Sequence, residues 1–172
     1  AGAGEEKRGN VNGSLELGQL AAQTGSLSNI VQSLTVPVTM AVDEINADGG
    51  VLGKPVTYAV ADDGTDPNLA SESLEGLLED SKVDAIVGPT SSGVTLNIHE
   101  EVRRRGVLLC SGSTFSAELS TNDSGGYYFR TTPSDRLQGP ALAELVLKDG
   151  RTKVGILARR DTYGDGLATS VK

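Results

Sequence analysis

Three stretches of this 172-residue chain set glycines among hydroxyl-bearing residues at spacings that suit ligand contact. The first is Gly88-Pro89-Thr90-Ser91-Ser92-Gly93. It has the G-x-x-x-x-G spacing of a phosphate loop, but Val94 stands where that motif carries its lysine. Without the lysine no charge reaches a terminal phosphate, so nucleotide hydrolysis is not expected. What remains is a row of backbone N–H groups and the hydroxyls of Thr90, Ser91 and Ser92 ahead of a helix. That arrangement suits one carboxylate better than a triphosphate. The plainer alternative is that Ser92 is only the N-cap of the helix. The second stretch, Ser111-Gly112-Ser113-Thr114-Phe115-Ser116, places four hydroxyls around one aromatic ring. It reads either as a polar pocket with one apolar wall or as a solvated loop. The third is Asp161-Thr162-Tyr163-Gly164-Asp165-Gly166, whose Gly164-x-Gly166 resembles the start of a dinucleotide fingerprint, but Thr169 replaces the third glycine.

Covalent and metal chemistry find little support. His99 is the single histidine, and His99-Glu100-Glu101-Val102-Arg103 lacks the second histidine of a zinc-protease helix. No G-x-S-x-G elbow occurs. Asp62-Asp63 does not fit the spacing of a calcium loop and reads as a solvated turn. Cys110 ends an apolar run and reads as a small buried hydrophobe; one cysteine leaves no intramolecular disulfide and no cysteine-based zinc site. No catalytic residue, metal or cofactor is assigned, and an enzyme is not expected.

The elements that must position these loops follow from periodicity. A first strand is expected around Leu15, Leu17 and Leu20. Val31, Leu34, Val38, Ala41/Val42 and Ile45 then recur at three- and four-residue steps, the apolar face of a helix. Pro37 should bend that helix or mark a late start, and Asp48-Gly49-Gly50 should end it. Strands are expected over 56–61, 83–87, 107–110, 127–131 and 154–158. Helices are expected after Asp66-Pro67, on Val94, Ile98 and Val102, after Ser134-Asp135, and from near Gly164. Strict alternation with short apolar strands predicts an α/β fold, a parallel sheet covered by helices on both faces. The last helix reaches Lys172 without a cap or return strand, so the chain is expected to be a fragment that exposes sheet edge and apolar surface. Residues 1–13, small, charged and polar, read as a flexible tether. A first residue of Ala1 reads as a processed start with any export signal already removed.

Composition narrows the partners. The formal charge is −8 and the pI about 4.6, with 15 Lys+Arg against 23 Asp+Glu. The dense basic clusters are Arg103-Arg104-Arg105 and Arg159-Arg160, too little for a nucleic-acid-binding face. Apolar runs such as Val107-Leu108-Leu109-Cys110 are far too short to span a bilayer.

In their order and spacing, several segments resemble the branched-chain amino-acid-type solute-binding proteins of ABC importers. They are Ala41-Val42-Asp43-Glu44-Ile45-Asn46-Ala47-Asp48-Gly49-Gly50-Val51-Leu52-Gly53, Asp62-Asp63 with Asp66-Pro67, Val83-Asp84-Ala85-Ile86-Val87-Gly88-Pro89, and Ser91-Ser92-Gly93. Farther on come Phe129-Arg130-Thr131 with Gln138-Gly139, and Asp161-Thr162-Tyr163-Gly164-Asp165-Gly166-Leu167-Ala168. The resemblance covers nearly everything from Leu15 to Lys172. It implies the type I periplasmic-binding-protein fold, two α/β lobes closing on a small ligand, in a chain about twice this length. Residues 14–132 would form most of the first lobe, and 133–172 the start of an incomplete second one.

By position, the resemblance gives the ligand carboxylate to Ser92 and neighbouring amides (Thr90, Ser91), and the α-ammonium to the Ser113 carbonyl. Phe115 departs from the family pattern, since a threonine hydroxyl belongs there, and Thr114 could substitute only if the loop shifts. Tyr163 would be the aromatic wall, and an acidic partner for the ammonium would lie beyond Lys172. The implied partners are a small-molecule ligand, an amino acid first, and an ABC permease. The implied location is extracytoplasmic, periplasmic or as a cell-surface lipoprotein. Two alternatives stay open: a ligand-sensing receptor ectodomain of the same fold, and an α/β enzyme with a cofactor at Gly164-x-Gly166.

Overall fold

The computed structural model describes residues 13–172, so the expected tether over 1–12 lies outside the described residues. Five parallel strands run in the order β2-β1-β3-β4-β5, with β1 at Glu16–Ala21, β2 at Thr57–Asp62, β3 at Ala85–Val87, β4 at Leu108–Ser111 and β5 at Tyr128–Arg130. Helices α1 (Val31–Ala47), α2 (Pro67–Glu79) and α3 (Ser92–Arg105) connect them, and α4 (Asp135–Lys148) and α5 (Thr162–Val171) follow.

Local chemistry sets several of these boundaries. Asp66 caps α2, accepting from the N–H groups of Asn68 and Leu69, while Pro67 takes the first helical position, where a missing N–H costs nothing. Gly106 ends α3 in the left-handed region at φ 67°. Pro37 does not delay α1, which begins six residues earlier at Val31 and carries the proline in its interior.

The core lies on one side of the sheet. Leu20, Ile86 and Leu109 point from β1, β3 and β4 into Leu74 and Leu78 of α2 and Val94, Ile98 and Val102 of α3. Each such aliphatic side chain contributes about 1.5–3 kcal/mol by leaving water. Arg105 ties the two helices together at their far ends. Its guanidinium meets Glu75 at 2.8 Å, Glu79 at 2.6 Å and Glu101 at 2.7 Å. Arg103 and Arg104 pair with Glu100 and Glu101, so the basic cluster is spent on the protein's own carboxylates.

The opposite face departs from the expectation of full cover. Among the described residues only α1 lies over it, burying Val42 and leaving Met40 and Ile45 in water. The strand register puts Val60, Leu108 and Phe129 on that face, and all three are exposed. Cys110 shares the face and is half-buried rather than buried.

Beyond β5, α4 and α5 pack chiefly on each other. Their contact is close at Gly139, where an added Cβ would fall 2.4 Å from the Ser170 Cβ and 2.6 Å from its backbone. The strand expected over 154–158 is not formed. Its side chains stand in solvent, with Val154, Ile156 and Leu157 exposed, and it has no partner strand among the described residues. A strand's N–H and C=O groups need a neighbour to hydrogen-bond, and β-propensity alone supplies none.

Candidate ligand-binding site

The sheet winds one way from β1 to β2 and the other way from β3 onward. The loops after β1 and β3 therefore diverge, leaving a crevice at the carboxyl ends of these strands, the place where open α/β sheets bind ligands. The β1 loop brings Leu27 and Ile30 to it, the β3 loop Thr90, Ser91 and Ser92, and the β4 loop Ser113 and Phe115. Arg159, Asp161 and Tyr163 face them from the segment that enters α5. Together these residues line a cavity of about 160 Å³.

Six of the seven residues expected at the site thus come together. Thr114 does not. It is fully buried, its hydroxyl lies 2.7 Å from that of Tyr128, and its carbonyl accepts from Thr132 Oγ1 at 3.1 Å. It cannot replace the threonine hydroxyl that the resemblance places at position 115.

Thr90 reaches the cavity but is held from three sides. Its hydroxyl accepts from Ala22 N–H at 3.2 Å, its carbonyl accepts from Ser113 Oγ at 3.0 Å, and its own N–H donates to Asp63 Oδ2 at 3.1 Å. Asp63 is wholly buried and also accepts from Thr65 N–H at 2.8 Å. Burial pushes its carboxyl above the ordinary aspartate value, against the pull of these backbone donors. The reading of Asp62-Asp63 as a solvated turn is therefore corrected. Asp62 binds Thr24 and Gly64 at the surface, whereas Asp63 is an internal post for the β3 loop.

Ser92 is also committed. Its Oγ accepts from Phe115 N–H at 3.1 Å and Ser116 N–H at 3.3 Å, splicing the start of α3 to the β4 loop. The hydroxyl proton remains to donate. Ser92 is the first helical residue and not the N-cap; that position belongs to Ser91, whose side chain makes no capping bond. The first intrahelical bond runs from Thr95 N–H to the Ser91 carbonyl at 3.0 Å. An uncapped helix start beside a serine hydroxyl is a donor-rich, electropositive end to the cavity.

Phe115 and Tyr163 make the aromatic wall, their centroids 5.7 Å apart and rings tilted by 46°. Behind Phe115, its carbonyl accepts from the N–H of Asp135, a buried residue at the start of α4. Burial also pushes the Asp135 carboxyl upward, opposed by Arg130. Asp161 caps α5 through Gly164 N–H at 2.8 Å and pairs with Arg159 at 2.5 Å. A Cβ on Gly164 would lie 2.0 Å from the Arg159 carbonyl, while one on Gly166 would meet open space. Gly164 therefore serves a tight backbone turn, which removes the support for a dinucleotide loop. Among the described residues no cluster of three His, Cys, Asp or Glu could hold a metal ion, and no helix is long and apolar enough to cross a membrane.

The lining residues Leu27, Ile30, Arg159 and Asp161 were not among those expected from sequence. The crossing of strand order would have pointed to the β1 loop, and Asp161 belongs to a motif already noted, although there only as part of a pattern.

A family model for periplasmic binding proteins matches residues 14–172. The chain belongs to the periplasmic binding protein family. Its relatives within that family are solute-binding proteins and not enzymes, and its likeness is to the branched-chain amino acid type. A Leu/Ile/Val-binding protein of Rhizobium johnstonii is 30% identical over 159 residues, 92% of this chain and 43% of that protein. A chemotactic signal transduction substrate-binding protein of Halobacterium salinarum is 32% identical over 128 residues, 73% of this chain and 31% of that protein. Among solved structures, the branched-chain amino acid transporter substrate-binding protein of Streptococcus pneumoniae, in complex with isoleucine, superposes with a TM-score of 0.77. It is 27% identical, over 91% of this chain and 45% of that one. The chain therefore spans less than half the length of these relatives.

Proposed function

We propose that this chain supplies the ligand-capturing cleft of an extracytoplasmic solute-binding protein, one that hands a small carboxylate, an amino acid first, to an ABC permease. Residues 14–132 are its first lobe and 133–172 the beginning of its second. The observation that carries this reading is the uncapped start of α3 at the switch point of the sheet, faced by Tyr163 and Phe115. The ligand carboxylate docks on the leading α3 amides and the hydroxyls of Ser91 and Ser92, charge-assisted bonds of the strong kind. The Ser113 carbonyl receives the ammonium. Thr90 and Thr114 act from behind, holding the two loops. Tyr163, on the second lobe, closes over the solute, and the permease selects the closed population.

A second reading has one specific support. The Halobacterium relative is named as part of a chemotactic system, so the same capture step could feed a sensor instead of a permease.

Calorimetric titration of the full-length protein with free amino acids and their C-terminal amides tests the shared core of both readings. Amidation removes the charge that the helix start stabilises, and is expected to weaken binding by about a hundredfold, on the scale of two charged hydrogen bonds. Equal affinity for acid and amide would contradict the carboxylate assignment.

A further inference from the structure

The cavity holds a second polar group that the proposed carboxylate contacts leave unused. Arg159 and Asp161 line the cavity at the entry to α5, on the side where the β1 loop carries Ser26. Arg159 Nε binds Asp161 Oδ2 at 2.5 Å, and Arg159 Nη2 reaches across the cleft to Ser26 Oγ at 2.7 Å. Both side chains remain in part accessible, at 43% and 34%. A guanidinium has five N–H donors and a carboxylate about four acceptor positions. Here Arg159 spends donors on Asp161 and Ser26, and Asp161 spends acceptors on Arg159 and Gly164 N–H. Donors and acceptors are left over side by side on a pair whose net charge is zero.

We propose that the Arg159–Asp161 pair reads the ligand's side chain, so that the site favours small carboxylates bearing a neutral amide or hydroxyl group over those ending in bare alkyl. The proposal rests on the carboxylate reading of the cleft given above. An amide or hydroxyl can accept from the guanidinium and donate to the carboxylate at once. An alkyl end would strip water from both ions and replace none of its hydrogen bonds, a cost that closing the cleft makes larger. A second negative charge gains little, because Asp161 already neutralises Arg159 and stands beside it. The aromatic wall of Phe115 and Tyr163 in the same cavity accepts the ligand's methylene groups.

The test uses the full-length protein titrated with L-glutamine, L-leucine and L-glutamate, glutamine matching glutamate in shape and exceeding leucine by one methylene. Glutamine should bind at least about tenfold more tightly than leucine, on the scale of one hydrogen bond to a charged group. Glutamate should bind no better than glutamine. Arg159→Met keeps the apolar stem and removes the donors, and should bring glutamine and leucine within about twofold of each other. Leucine matching glutamine on the wild-type protein overturns the proposal, whatever the variant does. So does a preference that survives Arg159→Met. If the wild-type protein binds none of the three, this inference falls, while the comparison of acids with their amides still decides the carboxylate reading.

Discussion

Asp63→Ala is expected to lower the stability of the protein by about 3 kcal/mol, the cost of leaving two buried amides without a charged acceptor. The amides are those of Thr65 and Thr90, and Asp63 is the buried group that reaches both. For a chain of this length the loss corresponds to a fall in melting temperature of about 6–12 °C. Because Thr90 then loses one of its three anchors, the β3 loop loosens and ligand affinity falls too. The pH dependence carries a second signature. Burial holds the folded-state carboxyl above the unfolded value of about 3.9. The folded protein therefore keeps this proton longer, and the proton-linked part of its stability is fully present below the unfolded value and lost as pH rises through the folded one, while the two amide contacts remain. Thermal melts across the acid range should show that decline in the wild type and not in Asp63→Ala. A variant with unchanged melting temperature would refute the role of Asp63 as an internal post.

Ser92→Ala and Ser91→Ala should part company. Removing the Ser92 hydroxyl leaves the N–H groups of Phe115 and Ser116 without their acceptor, so stability should drop by about 1–3 kcal/mol and affinity should weaken by tenfold or more, as roughly 1.4 kcal/mol requires. Ser91 makes no capping bond, so Ser91→Ala should leave the melting temperature within about a degree, the mild outcome of a substitution that breaks no buried contact. Its effect should appear in affinity alone. Thermal melts and calorimetry on the same full-length variants separate the two. Equal thermal penalties for both substitutions would contradict this division of labour.

Much of this was legible in the chain. Strand positions followed from short apolar runs, and α2 announced itself through Asp66-Pro67, a cap and a first-turn proline that need no tertiary partner. The loops that form the cavity were recognisable because glycines and hydroxyls cluster where strand gives way to helix. The burial of Asp63 was less visible, although a signal existed. Ala59 and Ala61 face the core from β2, and Asp63 follows them at the same period of two. The same alternation separates Thr114, turned inward to Tyr128, from Phe115, turned to the cavity. Composition draws the eye to the threonine, whereas backbone geometry favours its neighbour. The segment 154–158 failed as a strand for a reason no propensity contains, the need for a partner in register. Arg159 looked like half of a basic cluster. Only the fold sets it at the cavity, with Ser26, 133 residues earlier, within 2.7 Å.

The central claim is that one seam, formed by the start of α3, the β4 loop and the start of α5, closes on a solute. Hydrogen–deuterium exchange of the full-length protein, with and without an equimolar mixture of the twenty amino acids, tests it most directly. The account predicts slowed exchange concentrated at residues 91–94, 113–116 and 162–164, with the core strands β1 and β3 unchanged. Unaltered exchange at those three segments, or protection confined to surfaces away from them, would contradict it.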